Sequence, residues 1–153
     1  MKMSAGILVY KKVNNEILFF LAHPGGPFWK NKDIGAWSIP KGELNSEENT
    51  FDAAIREFKE ETGITPKGNF IELNPVKLKS GKKIFAWAVE DDIDADTITS
   101  NEFPFEWPPK SGKFIDIPEI DRCDWFSEKD ALEKLNVAQT AFVTELLSII
   151  EEK

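Results

Sequence analysis

The apolar positions of this chain follow two rhythms. Residues 3–12 are dense in β-formers, and residues 16–22 repeat that character after Asn14-Asn15, which predicts a hairpin. Residues 24–35 are punctuated by glycine and proline and predict a loop. Residues 37–39 read as a short strand leading into Pro40-Lys41-Gly42. Residues 70–79 and 82–90 predict a second hairpin around Ser80-Gly81, followed by an acidic connection over 91–96. The prolines of 97–118 predict irregular structure there, and 123–126 a further short strand.

A helical rhythm occupies 46–62, with Phe51, Ala54, Ile55 and Phe58 at i, i+3, i+4 and i+7 as its apolar stripe and Asp52 and Lys59 turned to solvent. Asn45 or Ser46 suits the N-cap, with Glu48 or Asn49 as the third residue of a capping pair. Gly63 suits a left-handed stop, and Pro66 forbids continuation. Ser127 caps a helix over 128–135, and Asn136 opens another with Ala138, Phe142, Leu146 and Ile149 buried. Strands alternating with helices predict an α/β mixed fold, a mixed sheet with helices packed on it. With no repeat and no linker, residues 1–153 are expected to form a single domain.

The chemistry concentrates on the first helix. Glu57, Glu60 and Glu61 lie within five residues, directly after Arg56. At about 100° per residue they fall within roughly 100° of arc, beside the apolar stripe. Like charges in a shielded site repel unless a cation joins them. Glu60 and Glu61 also occupy the last turn, where the helix dipole disfavours acids. A divalent metal offsets both penalties; the alternative is a solvated acidic face.

Composition narrows the partners. A net charge of −8 disfavours nucleic acid and anionic membrane. No apolar run is long enough to span a bilayer. The single cysteine, Cys123, reads as a packed thiol suited to a reducing interior, so a cytoplasmic location is expected.

Gly42, five residues, Glu48, seven residues, then Arg56-Glu57-Phe58-Lys59-Glu60-Glu61-Thr62-Gly63-Ile64 resembles the Nudix box, G-x5-E-x7-R-E-U-x-E-E-x-G-U with U bulky and apolar. All nine constrained positions match. The resemblance implies an α/β/α sandwich with a mixed β-sheet, and a Nudix-type pyrophosphohydrolase that uses Mg²⁺ or Mn²⁺ on a nucleoside diphosphate linked to another group. It implies Glu57, Glu60 and Glu61 as metal-site acids, the Gly42 carbonyl as a further oxygen ligand, Arg56 as their orienting cation and Glu48 as structural. Oxygen-only ligation suits such a hard cation.

Further candidates lie outside the box. Phe28 and Trp29 can stack on a base or cover a small core; His23 can act as acid or base, or bond nearby backbone. Lys41 suits a phosphate contact, or is an exposed charge. Trp107 with Lys110 and Lys113 suits a phosphorylated ligand, the competing reading being a proline-rich cover or a homodimer contact. Glu119 and Glu106 are candidate general bases, with Glu102 behind them. The expected substrate is nucleotide-derived: first a dinucleoside polyphosphate or related nucleoside polyphosphate, with an NTP-sanitising pyrophosphatase, a non-catalytic nucleotide sensor and removal of RNA 5′-end pyrophosphate as alternatives. The Pro40-Lys41-Gly42 entry resembles that of dinucleoside polyphosphate hydrolases, whereas the tyrosine some of them carry after the box is absent.

Overall fold

A computed structural model describes residues 2–151; Met1, Glu152 and Lys153 of the expected 1–153 domain lie outside the described residues. The chain opens with β1 (Met3–Val13) and β2 (Glu16–Pro24), joined at Asn14 and Asn15. Both asparagines have positive φ, 51° and 67°, the geometry that a two-residue hairpin turn requires. There follow β3 (Lys41–Glu43), α1 (Thr50–Thr62), β4 (Ile71–Glu72), β5 (Val76–Lys77) and β6 (Lys83–Glu90). The chain ends with β7 (Glu102–Glu106), β8 (Phe114–Pro118), β9 (Ile120–Phe126), α2 (Glu128–Lys134) and α3 (Thr140–Glu151).

The main sheet runs β4-β6-β1-β2-β9, with β3 added to β1 and β5 to β6. β1 and β6 are parallel and the other pairs antiparallel, so the sheet is mixed as expected. Strand alternation divides the core into two layers. Ala5, Ile7 and Val9 of β1 pack with Ala53, Ala54 and Phe58 of α1 on one face. Leu8 and Tyr10 pack with Ala131, Phe142 and Leu146 from α2 and α3 on the other. The result is the α/β/α sandwich.

One edge of β1 changes partner midway. Ser4–Gly6 pair with β3, whereas Tyr10–Val13 pair with β2. Where β2 diverges, residues 37–40 fill the gap: Ser38 bridges Ala22, and Pro40 O accepts from Ile7 N–H at 3.3 Å. The short strand expected at 37–39 is therefore reduced to isolated bridges, and the strand forms at Lys41–Glu43, where β1 has a free edge. This divergence opens the cleft described below.

Two further expectations are corrected. α1 begins at Thr50, because the cap is Asn49, whose Oδ1 accepts from the N–H groups of Phe51 (3.0 Å) and Asp52 (3.1 Å). Residues 45–48 form a turn instead, with Glu48 Oε1 accepting from Asn45 N–H at 2.9 Å. The C-terminal stop at Gly63 holds, with φ 77° and its N–H donating to Lys59 O. The second correction concerns residues 97–118, which are not irregular: β7 and β8 form a separate two-stranded ribbon. Pro104 is tolerated because such a ribbon leaves an edge free of ladder bonds. Glu106 closes its tip by accepting from Lys110 N–H (3.1 Å) and Gly112 N–H (3.0 Å).

Asn49→Ala is expected to cost about 1 kcal/mol in urea unfolding, whereas Ser46→Ala, outside the helix, leaves the midpoint unchanged. Equal losses from both substitutions would return the cap to the earlier position.

Candidate active site

Arg56 sits nearly two turns into α1 and directs every N–H of its guanidinium to an acceptor. Nε and Nη2 grip Glu48 at 2.8 and 3.0 Å; Nη1 reaches Glu57 at 2.8 Å and Glu60 at 3.1 Å; Nη2 also donates to Glu43 O of β3 at 3.1 Å. Glu48 is thereby held well below the ordinary carboxylate range, at about 2, chiefly by its hydrogen bonds from Arg56. The guanidinium is correspondingly pushed up, first by Glu48. The bidentate fork explains an arginine here, since a lysine cannot make this planar contact.

The three helix acids do not share one environment. Glu57 and Glu61 are buried, 8% and 3% exposed, while the Glu60 side chain is 43% exposed. The helix has therefore turned its acids further inward than the apolar stripe predicts, with Phe51 and Ile55 only half-buried. Burial raises Glu57, with Arg56 opposing. Burial raises Glu61 to about 9, reinforced by the charges of Glu119 and Glu57 and opposed by Lys41. Lys41 is lowered by burial and then by Lys82. Its backbone N–H donates to Glu61 Oε1 at 3.3 Å.

Gly42 lies under the Glu57 carboxylate. A Cβ added at Gly42 would collide with both carboxylate oxygens and their carbon, so only glycine allows this approach. The donor set of Glu57, Glu60, Glu61 and the Gly42 carbonyl is all oxygen and suits a hard divalent cation. Among the described residues no three acids or other ligating side chains converge on a common point. The physical reason is that Arg56 draws Glu57 and Glu60 together while Lys41 N–H draws Glu61 aside. The donor chemistry fits such a cation, and to hold it Glu61 would have to leave the Lys41 N–H and join Glu57 and Glu60, which Arg56 keeps together.

Glu119 joins the site from the opposite side. It precedes β9, its N–H donates to Asn101 O, and its Oε1 accepts from Asn101 Nδ2 at 3.3 Å. It borders two cavities that also share Lys41. The first, about 240 Å³, runs from Glu61 and Glu119 past Trp29 and Trp37 to Ser38 and Gln139. Trp29 thus borders the cleft. Phe28 lies outside it, 56% exposed beneath Lys32 Nζ at 4.0 Å.

Trp107 and Lys110 sit at the tip of the β7–β8 ribbon, about five residues and roughly 15 Å along it from the base beside Glu119, and border neither of these two cavities. The ribbon carries them outward. Glu106 is occupied in closing that tip. His23 is fully buried, its ring nitrogens 2.9 Å from Asp121 Oδ1 and 2.6 Å from Lys32 O, and so ties the 24–35 loop to β9. Cys123 is a buried thiol raised to about 12, chiefly by burial.

Sequence reasoning missed Gln139. Its Oε1 accepts from Ile39 N–H at 2.9 Å and its Nε2 donates to Ser38 Oγ at 3.0 Å, fixing the cavity floor. A glutamine 100 residues away from its partner leaves no local signal.

Folded Glu61 keeps its proton up to about pH 9, whereas the unfolded chain releases it near 4.5. Between those values the folded state binds more protons, so this residue's contribution lowers stability as pH rises. Metal-free Glu61→Gln should melt above the wild type at pH 8 by about 3 °C or more, roughly 1 kcal/mol for a chain of this size. The gap should shrink towards pH 5. A wild type equal to or more stable than the variant at pH 8 would contradict the burial assigned to this carboxylate.

A family model for the NUDIX domain matches residues 2–146. The asymmetrical bis(5'-nucleosyl)-tetraphosphatase of Rattus norvegicus is 30% identical over 65% of this chain and 72% of that protein. A probable DHNTP pyrophosphohydrolase of Lactococcus lactis is 34% identical over 51% of this chain and 42% of that protein, so the match spans less than half of that relative. Among solved structures, a C. elegans Ap4A hydrolase binary complex superposes with TM-score 0.63 at 20% identity, over 99% of this chain and 98% of that one. The NUDIX domain of Shewanella oneidensis NrtR complexed with ADP ribose gives TM-score 0.63 at 11% identity, over 97% and 86%. The sandwich, the complete box and the family match agree, and this chain belongs to the Nudix family.

Proposed function

We propose that this chain hydrolyses a phosphoanhydride bond in a nucleotide-derived substrate, first a dinucleoside polyphosphate, with Mg²⁺ or Mn²⁺ as cofactor. The observation that carries the reading is the burial of Glu57 and Glu61 beside two cavities that share Lys41 and Glu119, the one at Glu61 being walled by Trp29 and Trp37. Two buried acids beside a lysine and a third acid are costly to keep for packing alone. The name of the rat relative supports the substrate class.

Glu57, Glu60, Glu61 and the Gly42 carbonyl would hold the cation. When bound, it supplies charge neutralisation for phosphate oxygens and acidifies water. Arg56 keeps Glu57 and Glu60 aligned through its hydrogen bonds. Lys41, which borders the cavity, would grip a phosphate oxygen, and Trp29 and Trp37, which line it, would border the nucleoside. Glu119 is assigned as general base: it takes a proton from water as the water oxygen attacks phosphorus and the anhydride P–O bond breaks, the electron pair leaving with the departing phosphate. The chain acts as one domain. The buried Cys123 favours a reducing compartment, the cytoplasm.

A panel of dinucleoside polyphosphates, nucleoside triphosphates and ADP-sugars with Mg²⁺ and Mn²⁺, both products identified, tests this reading. Turnover that needs the metal and favours dinucleoside polyphosphates is expected. Glu119→Gln should lower kcat by about 10²–10⁴-fold with little change in KM. Absence of turnover across the panel, or a kcat within a few-fold of wild type, would overturn the reaction or the base respectively.

A further inference from the structure

His23 is the single histidine of the chain, and its ring is fully buried where β2 leaves the sheet. The register of β2 on β9 shifts between His23 and Pro24, at the start of the loop that carries Trp29. Nδ1 lies 2.9 Å from Asp121 Oδ1 of β9, and Nε2 lies 2.6 Å from Lys32 O of the loop. Both neighbours are acceptors: a carbonyl has no proton to give, and neither has an ionised carboxylate. A neutral imidazole donates from one nitrogen only, so its remaining lone pair would face one of these oxygens in a buried site. An imidazolium donates from both.

The groups around the ring fit that form. Asp121 supplies the counter-charge from β9. Arg122 Nη1 stands 3.5 Å from both Asp121 oxygens on a half-exposed side chain, and its guanidinium lies over the Trp37 ring at 5.2 Å. Asp33 of the loop is taken up by Trp37 Nε1 and by Lys134 of α2. The ring also reaches both tryptophans of the cleft. Trp37 meets it edge to face, with centroids 5.1 Å apart. Trp29 is tied to it through Lys32, whose N–H donates to Trp29 O at 2.9 Å while its carbonyl faces His23 Nε2.

We propose that His23 is a positioning residue, an imidazolium that donates to Asp121 and to Lys32 O at once and so holds Trp29 and Trp37 at the spacing that receives a ligand. A ring with one proton would leave either β9 or the loop unheld. The same loop is tied to Glu119, two residues before Asp121, since Gly25 N–H donates to the Glu119 carbonyl at 2.9 Å. The ring therefore stands behind the aromatic wall, joining it to the strand that follows Glu119. The ligand served is the nucleoside portion of the substrate, and that clause alone rests on the proposed hydrolysis.

Nitrogen magnetic resonance of the imidazole ring in the metal-free protein at neutral pH tests this, and a single histidine makes the spectrum unambiguous. Wild type should show two protonated ring nitrogens. Asp121→Asn removes the counter-charge with little change of shape, and one nitrogen should then lose its proton. Amide exchange at Lys32 and Ala36, whose N–H groups bond within the loop, should quicken about tenfold in Asp121→Asn and in His23→Gln while β6 stays protected. With metal, the KM for dinucleoside polyphosphates should rise about tenfold in both variants, with kcat within a few-fold of wild type. An unprotonated ring nitrogen in wild type, a ring still doubly protonated in Asp121→Asn, or loop exchange and KM unchanged in both variants overturns the clamp. Should His23→Gln fold poorly, Asp121→Asn decides alone, its side chain reaching solvent. In a protein that turns over nothing on the panel, the spectrum and the exchange rates still decide the clamp while the reaction falls; turnover with insensitive loop exchange and KM keeps the reaction and removes the clamp.

Discussion

The guanidinium of Arg56 is the contact on which the arrangement depends. It joins the turn at Glu48, the helix acids Glu57 and Glu60, and the backbone of β3 at Glu43. Without it Glu57 would be a buried carboxylate facing Glu61 and Glu119 with no counter-charge. Its demands also explain local structure. Glu48 is drawn towards Arg56, so residues 45–48 fold as a turn and the helix starts at Thr50, after the Asn49 cap, rather than earlier. β3 must lie flat under α1, and that close approach leaves room only for Gly42 beneath Glu57.

The cleft follows from a topological constraint. One edge of β1 cannot serve β2 and β3 at the same height, so β2 leaves and residues 37–40 enter the gap. This brings Lys41 to the boundary between the aromatic-walled cavity and the cavity beside Gly42 and Glu57, with Glu119 bordering both. The loop that bears Trp29 is fixed at several points rather than left to hang. His23 holds Lys32 O, Trp37 Nε1 donates to Asp33 Oδ1 at 2.8 Å, and Lys134 of α2 pairs with Asp33. The aromatic wall is thus preorganised by contacts to β9 and α2.

Much of this was legible in the chain itself. The first hairpin, the caps at Ser127 and Gly63 and the box all carry local signals, because turn residues and fixed spacings act over a few positions. The inward turn of Glu57 and Glu61 was not legible, since an acid on a helix reads as exposed until Arg56 and β3 are in place. The β7–β8 ribbon was hidden by its prolines, and its tip carries Trp107 and Lys110 away from the cleft. Gln139 gave no signal, because it is set by a long-range pairing. Of the three neighbouring acids, Glu60 lies at the exposed rim and the other two lie within, a difference that spacing along the helix does not carry.

The central claim is that the buried acids exist to receive a divalent cation. Manganese binding, followed by the fraction of free Mn²⁺ in electron paramagnetic resonance, tests it most directly. The account predicts bound Mn²⁺ in the wild type, retention in Lys59→Gln at the exposed neighbour of Glu60, and loss in Glu57→Gln and in Glu61→Gln. Equal Mn²⁺ binding in all four proteins, or none in the wild type, would contradict it.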